Sequence, residues 1–382
     1  MSRRLVVLTE IIAPYRIPVF NALAARPGID LHVIFLSKTD SSRRQWRIYE
    51  EEIRFSYEVL PSLRRRIGKF NFLLNSNVFR ALRHAEPEVL ICGGYSYLAS
   101  WQAMNWAKRN RVPLLLWSES TAHDARNQHS PVEWLKKQFL GKCDAFLVPG
   151  AAAKSYIQQF ASPSQKIFTA RNAVDIELFA AKKTSTRKTA NQLRSRLLLP
   201  ARYFLFVGRL VEPKGVLDLI EAYGSLAPEL RSRVGLVFAG EGPLRGKLEA
   251  LARAIYPGKV RVIGFIQRDE LANHYALAEC LVMPTHSDPW GLVVNEAMAC
   301  GLPVICTSVA GCAADLIREN GIMVPPGNIR KLAEAMGIIA GDGQLRHHMS
   351  TASAKLIQEY SPEACAAGFA DAAVSSMERW DV

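Results

Sequence analysis

Short apolar runs of four or five residues alternate along the whole chain with longer stretches of mixed polar and apolar character. Continuous apolar runs of this length, bounded by glycine, proline or polar residues, are typical of strands buried on both faces of a parallel sheet. The pattern predicts strands at Arg4–Leu8, Leu31–Phe35, Val89–Cys92, Leu114–Trp117, Ala145–Val148, Tyr203–Val207, Gly235–Ala239, Val260–Ile263, Cys280–Met283 and Val304–Cys306.

The predicted strands form two series, so the fold class is α/β with two Rossmann-like parallel-sheet domains. A chain of 382 residues also exceeds what one hydrophobic core usually serves. We place the first domain at 1–175 and the second at 176–360. The polar stretch Lys182–Arg196 is interpreted as a surface connection. A final helix is predicted from Pro362 to about Met377.

The segment 287–301 departs from this simple pattern, because it places acids within a nearly apolar helix. It is written Ser-Asp-Pro-Trp-Gly-Leu-Val-Val-Asn-Glu-Ala-Met-Ala-Cys-Gly. Pro289 suits a first helical turn, and Gly301 suits the residue just past a helix end. A helix that is apolar nearly all round belongs in the interior, yet this one carries Glu296. A buried carboxylate needs partners, which paired ligand hydroxyls would supply. The alternative is a helix-end carboxylate that reaches solvent.

Two glycine-containing loops follow predicted strands of the second domain. Gly208–Gly215 comes after Tyr203–Val207, and Gly240–Leu244 comes after Gly235–Ala239. Ligands of open parallel sheets bind at the carboxyl ends of strands, where glycine allows close backbone approach. Cations in the first loop could stabilise a phosphate leaving group electrostatically. The alternative is an ordinary strand–helix connection with solvated basic residues, and glycine spacing alone does not exclude it.

The segment 287–301 resembles the acid–seven residues–acid motif of the retaining glycosyltransferases of family 4. The two glycine loops resemble that family's Gly-Arg…Lys-Gly and Gly-x-Gly-Pro-Leu positions, and the resemblance extends from about residue 165 to about residue 345. Asp288 stands where the family usually has glutamate. The resemblance implies the GT-B fold, in which two Rossmann-like domains face a cleft and the C-terminal helix, here 361–382, crosses back to the first domain.

The same resemblance implies that the second domain binds a nucleoside-diphosphate sugar. Glu296 would accept hydrogen bonds from both ribose hydroxyls, Asp288 would contact the transferred sugar, and the backbone at Ile266 would read the base. Unsatisfied N–H groups at a helix N-terminus suit phosphate. The predicted donor-binding residues are Gly208, Arg209, Lys214, Gly240, Glu241, Gly242, Ile266, Gly291, Leu292, Val293 and Glu296. The predicted catalytic residues are Arg209, Lys214, Asp288 and Glu296.

The acceptor side is assigned to the first domain. Ala13–Arg16 resembles an opening found in a bacterial subset of the family, so Tyr15 and Arg16 are candidates for acceptor or diphosphate contacts. Many family members have histidine after the strand equivalent to Leu114–Trp117. Here Glu119 stands in that region and His123 follows four residues later, so either could take the role. A single loop histidine is more often merely exposed.

Family resemblance implies retention of anomeric configuration without a metal or another cofactor. The expected reaction moves a hexose from a UDP-sugar, with a GDP-sugar as the second option, to a glycan or lipid-linked acceptor in lipopolysaccharide or exopolysaccharide biosynthesis. The leaving phosphate is expected to take the acceptor proton. The alternatives are a GT-B sugar-nucleotide 2-epimerase, against which the paired-acid motif argues, and a non-catalytic basic binding protein.

Charge is distributed unevenly between the two halves of the chain. Residues 1–175 hold 25 Lys and Arg against 14 Asp and Glu, out of 48 and 35 in the whole chain. This excess predicts an anionic partner for the first half. Its densest basic runs are Arg43, Arg44 and Arg47, then Arg64, Arg65, Arg66 and Lys69, with Phe70, Phe72, Leu73 and Leu74 following. Two interpretations of these runs are equally supported. They could contact an anionic membrane surface, or the apolar residues could belong to the core and the arginines to its solvated edge. Nucleic acid is not expected, because no nucleic-acid motif accompanies the charge.

Hydropathy and cysteine usage indicate the compartment. No apolar run approaches the roughly 18–20 residues of a membrane span, and Leu5–Leu8 is too short for the apolar core of a signal peptide. The seven cysteines lack close-paired spacing, so we expect buried thiols rather than metal ligands. The expected location is the reducing cytoplasm, with peripheral attachment to the inner face of the cell membrane as an option.

Overall fold

The structure is a computed structural model that describes residues 2–40, 45–67, 70–123 and 130–378. The chain divides into two compact units, one made of Met1–Val174 with Pro362–Val382 and the other of Asp175–Ser361. Of the predicted basic and apolar runs, Arg43, Arg44 and Lys69 lie outside the described residues, as do the side chains of Arg66 and Phe70.

The first unit contains a seven-stranded parallel sheet and a separate antiparallel hairpin. Its strands are β1 Arg3–Ile11, β2 Ile29–Ser37, β3 Ser56–Val59, β4 Ser62–Ile67, β5 Phe70–Asn75, β6 Val89–Cys92, β7 Leu114–Trp117, β8 Ala145–Val148 and β9 Lys166–Thr169. The sheet order is β3-β2-β1-β6-β7-β8-β9, while β4 and β5 pair with each other in the hairpin.

The second unit contains a six-stranded parallel sheet. Its strands are β10 Tyr203–Val207, β11 Gly235–Ala239, β12 Val260–Gly264, β13 Cys280–Met283, β14 Val304–Thr307 and β15 Gly321–Val324. They are ordered β12-β11-β10-β13-β14-β15. Because β10 lies between β11 and β13, the loops that follow these three strands emerge side by side at one edge of the sheet.

Every predicted apolar run forms a strand, which confirms the α/β fold class. The runs that sequence pattern missed are less buried. β3 and β9 are edge strands with exposed residues at both ends, and β4 carries three consecutive arginines. Such strands lack the continuous apolar signature, because one side of an edge strand faces solvent rather than a second strand.

Helices cover both sheets. They are α1 Ile17–Ala24, α2 Val78–Ala85, α3 Leu98–Asn110, α4 Ser130–Leu140, α5 Ala151–Gln158, α6 Ile176–Lys188, α7 Ala190–Arg196, α8 Val216–Gly224, α9 Pro228–Arg233, α10 Arg245–Ile255, α11 Arg268–Leu277, α12 Leu292–Ala299, α13 Ala313–Leu316, α14 Ile329–Gly341, α15 Gly343–Leu356 and α16 Pro362–Met377. The polar stretch Lys182–Arg196 is mostly exposed, and the end of α6 and the whole of α7 run through it. Asp175 caps α6 by accepting a hydrogen bond from the Leu178 amide at 2.9 Å.

Two hydrophobic clusters lie on opposite faces of the first sheet, as the alternation of β1 requires. Leu5 and Val7 belong to the cluster under α1 and α16, and Val6 and Leu8 belong to the cluster under α2 and α3. Helix α16 is thus part of the core of the first unit, as the resemblance implied. Its Phe369 ring lies 5.0 Å from that of Trp117.

The cysteines are all buried and free, which confirms the expectation of unpaired thiols. In the part of the chain that the structure describes, no helix combines the length and the apolar character needed to cross a bilayer.

Candidate functional site

The loops after β10 and β13 are held together by main-chain contacts. The Thr285 hydroxyl and the His286 amide each donate to the carbonyl of Pro213 at 2.9 Å. Gly215 has φ +64°, and a Cβ there would lie 2.0 Å from the carbonyl oxygen of Pro284. Only glycine therefore allows the two loops to approach this closely.

This docking brings two predicted catalytic residues together. The Lys214 ammonium forms an ion pair with Oδ2 of Asp288, and both side chains are mostly buried. The other carboxylate oxygen, Oδ1, accepts the amide of Trp290 at 3.2 Å. The sequence assigned Lys214 to phosphate and Asp288 to the sugar as separate contacts. In the structure a ligand would meet them as a neutralised pair.

Helix α12 begins at Leu292, later than the motif predicted. Pro289 lies outside it, so its placement in the first helical turn is wrong. The segment before the helix is instead tied to the loop after β14, where the Gly311 amide donates to the Asp288 carbonyl at 3.0 Å and the Cys312 amide donates to the Trp290 carbonyl at 3.1 Å. Gly291 precedes the helix with φ +98°.

Glu296 lies in the second turn of α12. The hydroxyl of Tyr275, on α11, donates to Oε2 of Glu296 at 2.7 Å. Protein atoms surround the carboxylate on most sides, although part of the side chain stays accessible. Burial raises the pKa of Glu296 to about 7, while the Tyr275 hydrogen bond and the positive charge of Arg268 oppose this rise. The carboxylate is therefore held inside the protein rather than projecting into bulk solvent.

The backbone of the loop after β11 packs closely against the loop after β10. A Cβ at Gly240 would lie 1.8 Å from the carbonyl oxygen of Gly208, and one at Gly242 would lie 2.4 Å from that of Leu210. Packing between loops alone thus requires both glycines, whatever they bind. Glu241 pairs its carboxylate with Arg245.

The remaining donor-side positions surround these loops. Arg209 is exposed directly after Gly208. Ile266 follows β12 and is half-buried, and Leu292 and Val293 are half-buried in the first turn of α12. The first amides of a helix have no acceptor within the helix, so this end can receive an anion.

In the first unit, three of the four acceptor-side candidates, Tyr15, Arg16 and Glu119, form one cluster. The Arg16 guanidinium, only 8% exposed, donates to Oδ1 of Asn172 at 2.8 Å and pairs with the carboxylate of Glu119. It also lies over the rings of Trp117 and Tyr15, with centroid distances of 4.2 and 5.3 Å. Glu119 is therefore anchored by a buried cation.

His123 stands apart from this cluster. It is exposed in the loop after β7, which is the ordinary environment of a loop histidine. Within the described ranges, no group of three or more His, Cys, Asp and Glu residues is arranged to hold a metal ion.

Several site residues escaped sequence reasoning. Tyr275 and Arg268 act on Glu296 from α11, and Asn172 and Trp117 hold Arg16. The available signal was general, since a buried tyrosine hydroxyl needs a hydrogen-bond partner. Nothing in the local pattern says that this partner lies 21 residues further along the chain.

Two Rossmann-like units, with the last helix built into the first, define the GT-B fold. The solved structure of Anabaena Alr3699/HepE in complex with UDP matches at a TM-score of 0.73, covering 98% of this chain and 100% of that chain, at 18% sequence identity. A family model described as "Glycosyltransferase Family 4" matches residues 20–178, and one described as "Glycosyl transferases group 1" matches residues 191–356. The chain belongs to the group 1 glycosyltransferases of family 4.

Curated relatives agree over shorter stretches. The uncharacterized glycosyltransferase MJ1607 of Methanocaldococcus jannaschii is 30% identical over 227 residues, which are 57% of this chain and 56% of that protein. The O-antigen chain mannosyltransferase B of Escherichia coli is 28% identical over 129 residues, 33% of this chain and 34% of that protein. The chain thus spans about half the length, or less, of these relatives.

Proposed function

We propose that this protein transfers a hexose from a UDP-sugar to a glycan or lipid-linked acceptor in polysaccharide biosynthesis, with retention of anomeric configuration. The observation that carries the proposal is the Glu296 carboxylate, which Tyr275 holds inside the second unit. Glu296 lies on α12, the helix that follows Asp288, and Asp288 is paired with Lys214. A UDP complex of a protein with the same fold supports UDP as the donor nucleotide. A GDP-sugar is the second option.

The donor is proposed to bind with its ribose hydroxyls on Glu296 and its diphosphate at the start of α12, near Gly291. Hydrogen bonds to a charged acceptor contribute roughly 1.5–3 kcal/mol each. Lys214 and Arg209 supply positive charge where the leaving diphosphate becomes more negative, in place of a metal ion. Glu241 contributes through its backbone, because its carboxylate is paired with Arg245.

In the chemical step, the bond between the anomeric carbon and the donor phosphate oxygen breaks, and a bond to the acceptor oxygen forms on the same face of the sugar. A glycosidase-type double displacement needs two carboxyl groups that face the sugar. Asp288 is paired with Lys214 and Glu296 is assigned to ribose, so neither is proposed as a nucleophile. The leaving phosphate takes the acceptor proton. Arg16 and Glu119 are proposed to bind the acceptor.

A panel of UDP-, GDP- and dTDP-sugars tests this function. A UDP-hexose is expected to raise the melting temperature, because a ligand that binds only the folded state stabilises it by mass action. With an acceptor glycan present, UDP release should persist in EDTA, and NMR should show a product with the donor's anomeric configuration. A product of inverted configuration, or no thermal shift with any nucleotide sugar, would contradict the proposal.

We also propose an anionic membrane surface as a second partner of the first unit, and the cytoplasm, at the inner face of the cell membrane, as the location of the protein. Exposed apolar side chains support this. In the hairpin, pleat alternation buries Leu73 and exposes Leu63, Phe72 and Leu74. On α4, the side chains of Val132, Trp134 and Leu135 are exposed. The net positive charge of the first half favours an anionic bilayer. Arg64 contributes little to that attraction, because Asp40 and Glu10 neutralise it.

Vesicle co-sedimentation tests the membrane contact. Wild-type protein should bind vesicles that contain phosphatidylglycerol and not vesicles of phosphatidylcholine alone. Burying a large apolar side chain contributes on the order of 1.5–3 kcal/mol, so Trp134→Ala with Leu135→Ala should weaken binding about tenfold or more. Ile338→Ala, at an exposed apolar position of the second unit, is the matched control. Equal binding by all three proteins would exclude α4 as the contact.

A further inference from the structure

Tyr275 differs from other buried tyrosines of the second unit in the group that it hydrogen-bonds. The hydroxyls of Tyr203 and Tyr223 donate to the main-chain carbonyls of His274 and Val234, at 2.7 and 2.9 Å. The Tyr275 hydroxyl instead donates to the Glu296 carboxylate. A main-chain carbonyl would satisfy a buried hydroxyl without the desolvation cost of a charged group. Of these three tyrosines, Tyr275 alone hydrogen-bonds a charged group, so the desolvation cost of that group arises at this contact. The contact therefore points to a role in the candidate site.

Few ionisable groups face Glu296. Arg268 and Tyr275 are seven residues apart on α11 and therefore lie on one face of that helix, two turns apart. Cys300, at the end of α12, is the third group. Burial raises the pKa of its thiol to about 12, so the thiol stays neutral. The positive charge of Lys183, on α6, opposes this rise. The groups that can stabilise the ionised carboxylate are thus the Tyr275 hydroxyl and the Arg268 charge.

The hydrogen bond also restricts how Glu296 can turn. A carboxylate offers about four lone-pair positions, of which Tyr275 occupies one on Oε2. The remaining positions are enough for the two hydroxyls of a ribose. Burial raises the pKa of Tyr275 well above its usual range, so its hydroxyl keeps its proton near neutral pH and can donate it.

We propose that Tyr275 is a positioning residue of the donor site, whose hydroxyl fixes the Glu296 carboxylate in the orientation that receives the ribose hydroxyls. The inference rests on the proposed function of Glu296. Because the hydroxyl bonds better to the carboxylate than to the carboxylic acid, it also favours the ionised form of Glu296. Without it, the pKa of Glu296 rises further, and a neutral carboxyl group accepts ribose hydrogen bonds poorly.

Tyr275→Phe tests this inference against Tyr223→Phe, which deletes another buried hydroxyl of the same unit. In wild type, kcat/KM for the donor should fall as pH decreases through the pKa of Glu296, about 7. In Tyr275→Phe this acid limb should move up by about one pH unit, so kcat/KM at pH 7 should fall about fivefold. Donor KM should rise more than kcat falls. Tyr223→Phe should keep the wild-type profile, since loss of packing alone does not move a titration.

A second measurement makes the test independent of catalysis. NMR titration of protein labelled with ¹³C at the glutamate side-chain carboxyl follows Glu296 directly, and the signal is assigned by its absence in Glu296→Gln. The same upward shift is expected in Tyr275→Phe. If that variant does not fold, 3-fluorotyrosine supplies a stronger hydroxyl donor and should move the titration downward.

The outcomes separate the two proposals. An unchanged titration and an unchanged pH profile in Tyr275→Phe would overturn the positioning role. Wild-type donor affinity in Glu296→Gln would instead overturn the ribose assignment of Glu296, whatever Tyr275 does to its titration.

Discussion

Glu296→Ala is expected to lower kcat/KM for the nucleotide sugar by about 10²–10⁴-fold. Two hydrogen bonds from ribose to a charged acceptor contribute roughly 3–6 kcal/mol together, and each 1.4 kcal/mol is a factor of ten. The loss should be seen in the donor Kd as well as in catalysis, because ribose is held in both the ground state and the transition state. Isothermal titration with the UDP-sugar measures it.

Replacing the Glu296 carboxyl by an uncharged amide is expected to weaken donor binding and yet to stabilise the fold at high pH, which provides an internal check. The pKa of Glu296 in the folded state, about 7, lies above the ordinary carboxyl value of 4.5. The folded protein then binds more protons than the unfolded chain between these values. The contribution of Glu296 to stability is therefore greatest below pH 4.5 and is lost as the pH rises through 7.

Glu296→Gln removes the loss of stability that Glu296 causes at high pH, because the amide does not ionise. At pH 8 it should raise the free energy of unfolding by on the order of 2 kcal/mol, after allowance for the part of the side chain that solvent reaches. Glu334→Gln, an exposed substitution on α14, should leave donor affinity unchanged. A Glu296→Gln protein that is less stable than wild type at pH 8, with normal donor affinity, would show that the carboxylate is structural.

Lys214→Ala is expected to reduce kcat by about 10²–10³-fold, with a smaller change in donor KM. A fixed charge aimed at a group that becomes more negative stabilises the transition state more than the ground state. The pair with Asp288 adds to the loss, since removal of the ammonium leaves a mostly buried negative charge near the proposed diphosphate position.

A double substitution separates these two contributions. Lys214→Ala with Asp288→Ala should be less impaired than the product of the single effects, because neither partner is left unpaired. Lys247→Ala, at an exposed lysine of α10, should retain wild-type kinetics. Strict additivity would mean that Lys214 and Asp288 act on the substrate independently of their ion pair.

Sequence pattern was sufficient for the central strands and insufficient for side-chain pairing. Val89–Cys92 and Cys280–Met283 are buried on both faces, so their sequences are continuously apolar and their limits are clear. The edge strand Ser56–Val59 has one open side and a mixed composition, so periodicity did not distinguish it from a loop. Pro289 was misplaced because contacts from the loop after β14, distant in sequence, keep it out of the helix.

The same holds for the candidate site: its loops could be predicted from the sequence, and its side-chain pairs could not. The loops that carry Lys214, Asp288 and Glu296 could be located, because ligands of parallel sheets bind where strands end. The pairing of Glu119 with Arg16 joins positions 103 residues apart, and that of Tyr275 with Glu296 joins different helices. Such contacts depend on how elements pack, which local spacing does not encode.

Because α16 belongs to the first unit, the order of synthesis affects the order in which the two units can complete folding. The second unit is one uninterrupted segment, Asp175–Ser361, and can close its core as soon as that segment has been synthesised. The first unit must wait for Phe369 and its neighbours, which seal the pocket beside Phe20 and Trp117. During translation the first unit is thus completed after the second unit, and until then its unfilled apolar surface stays open to aggregation.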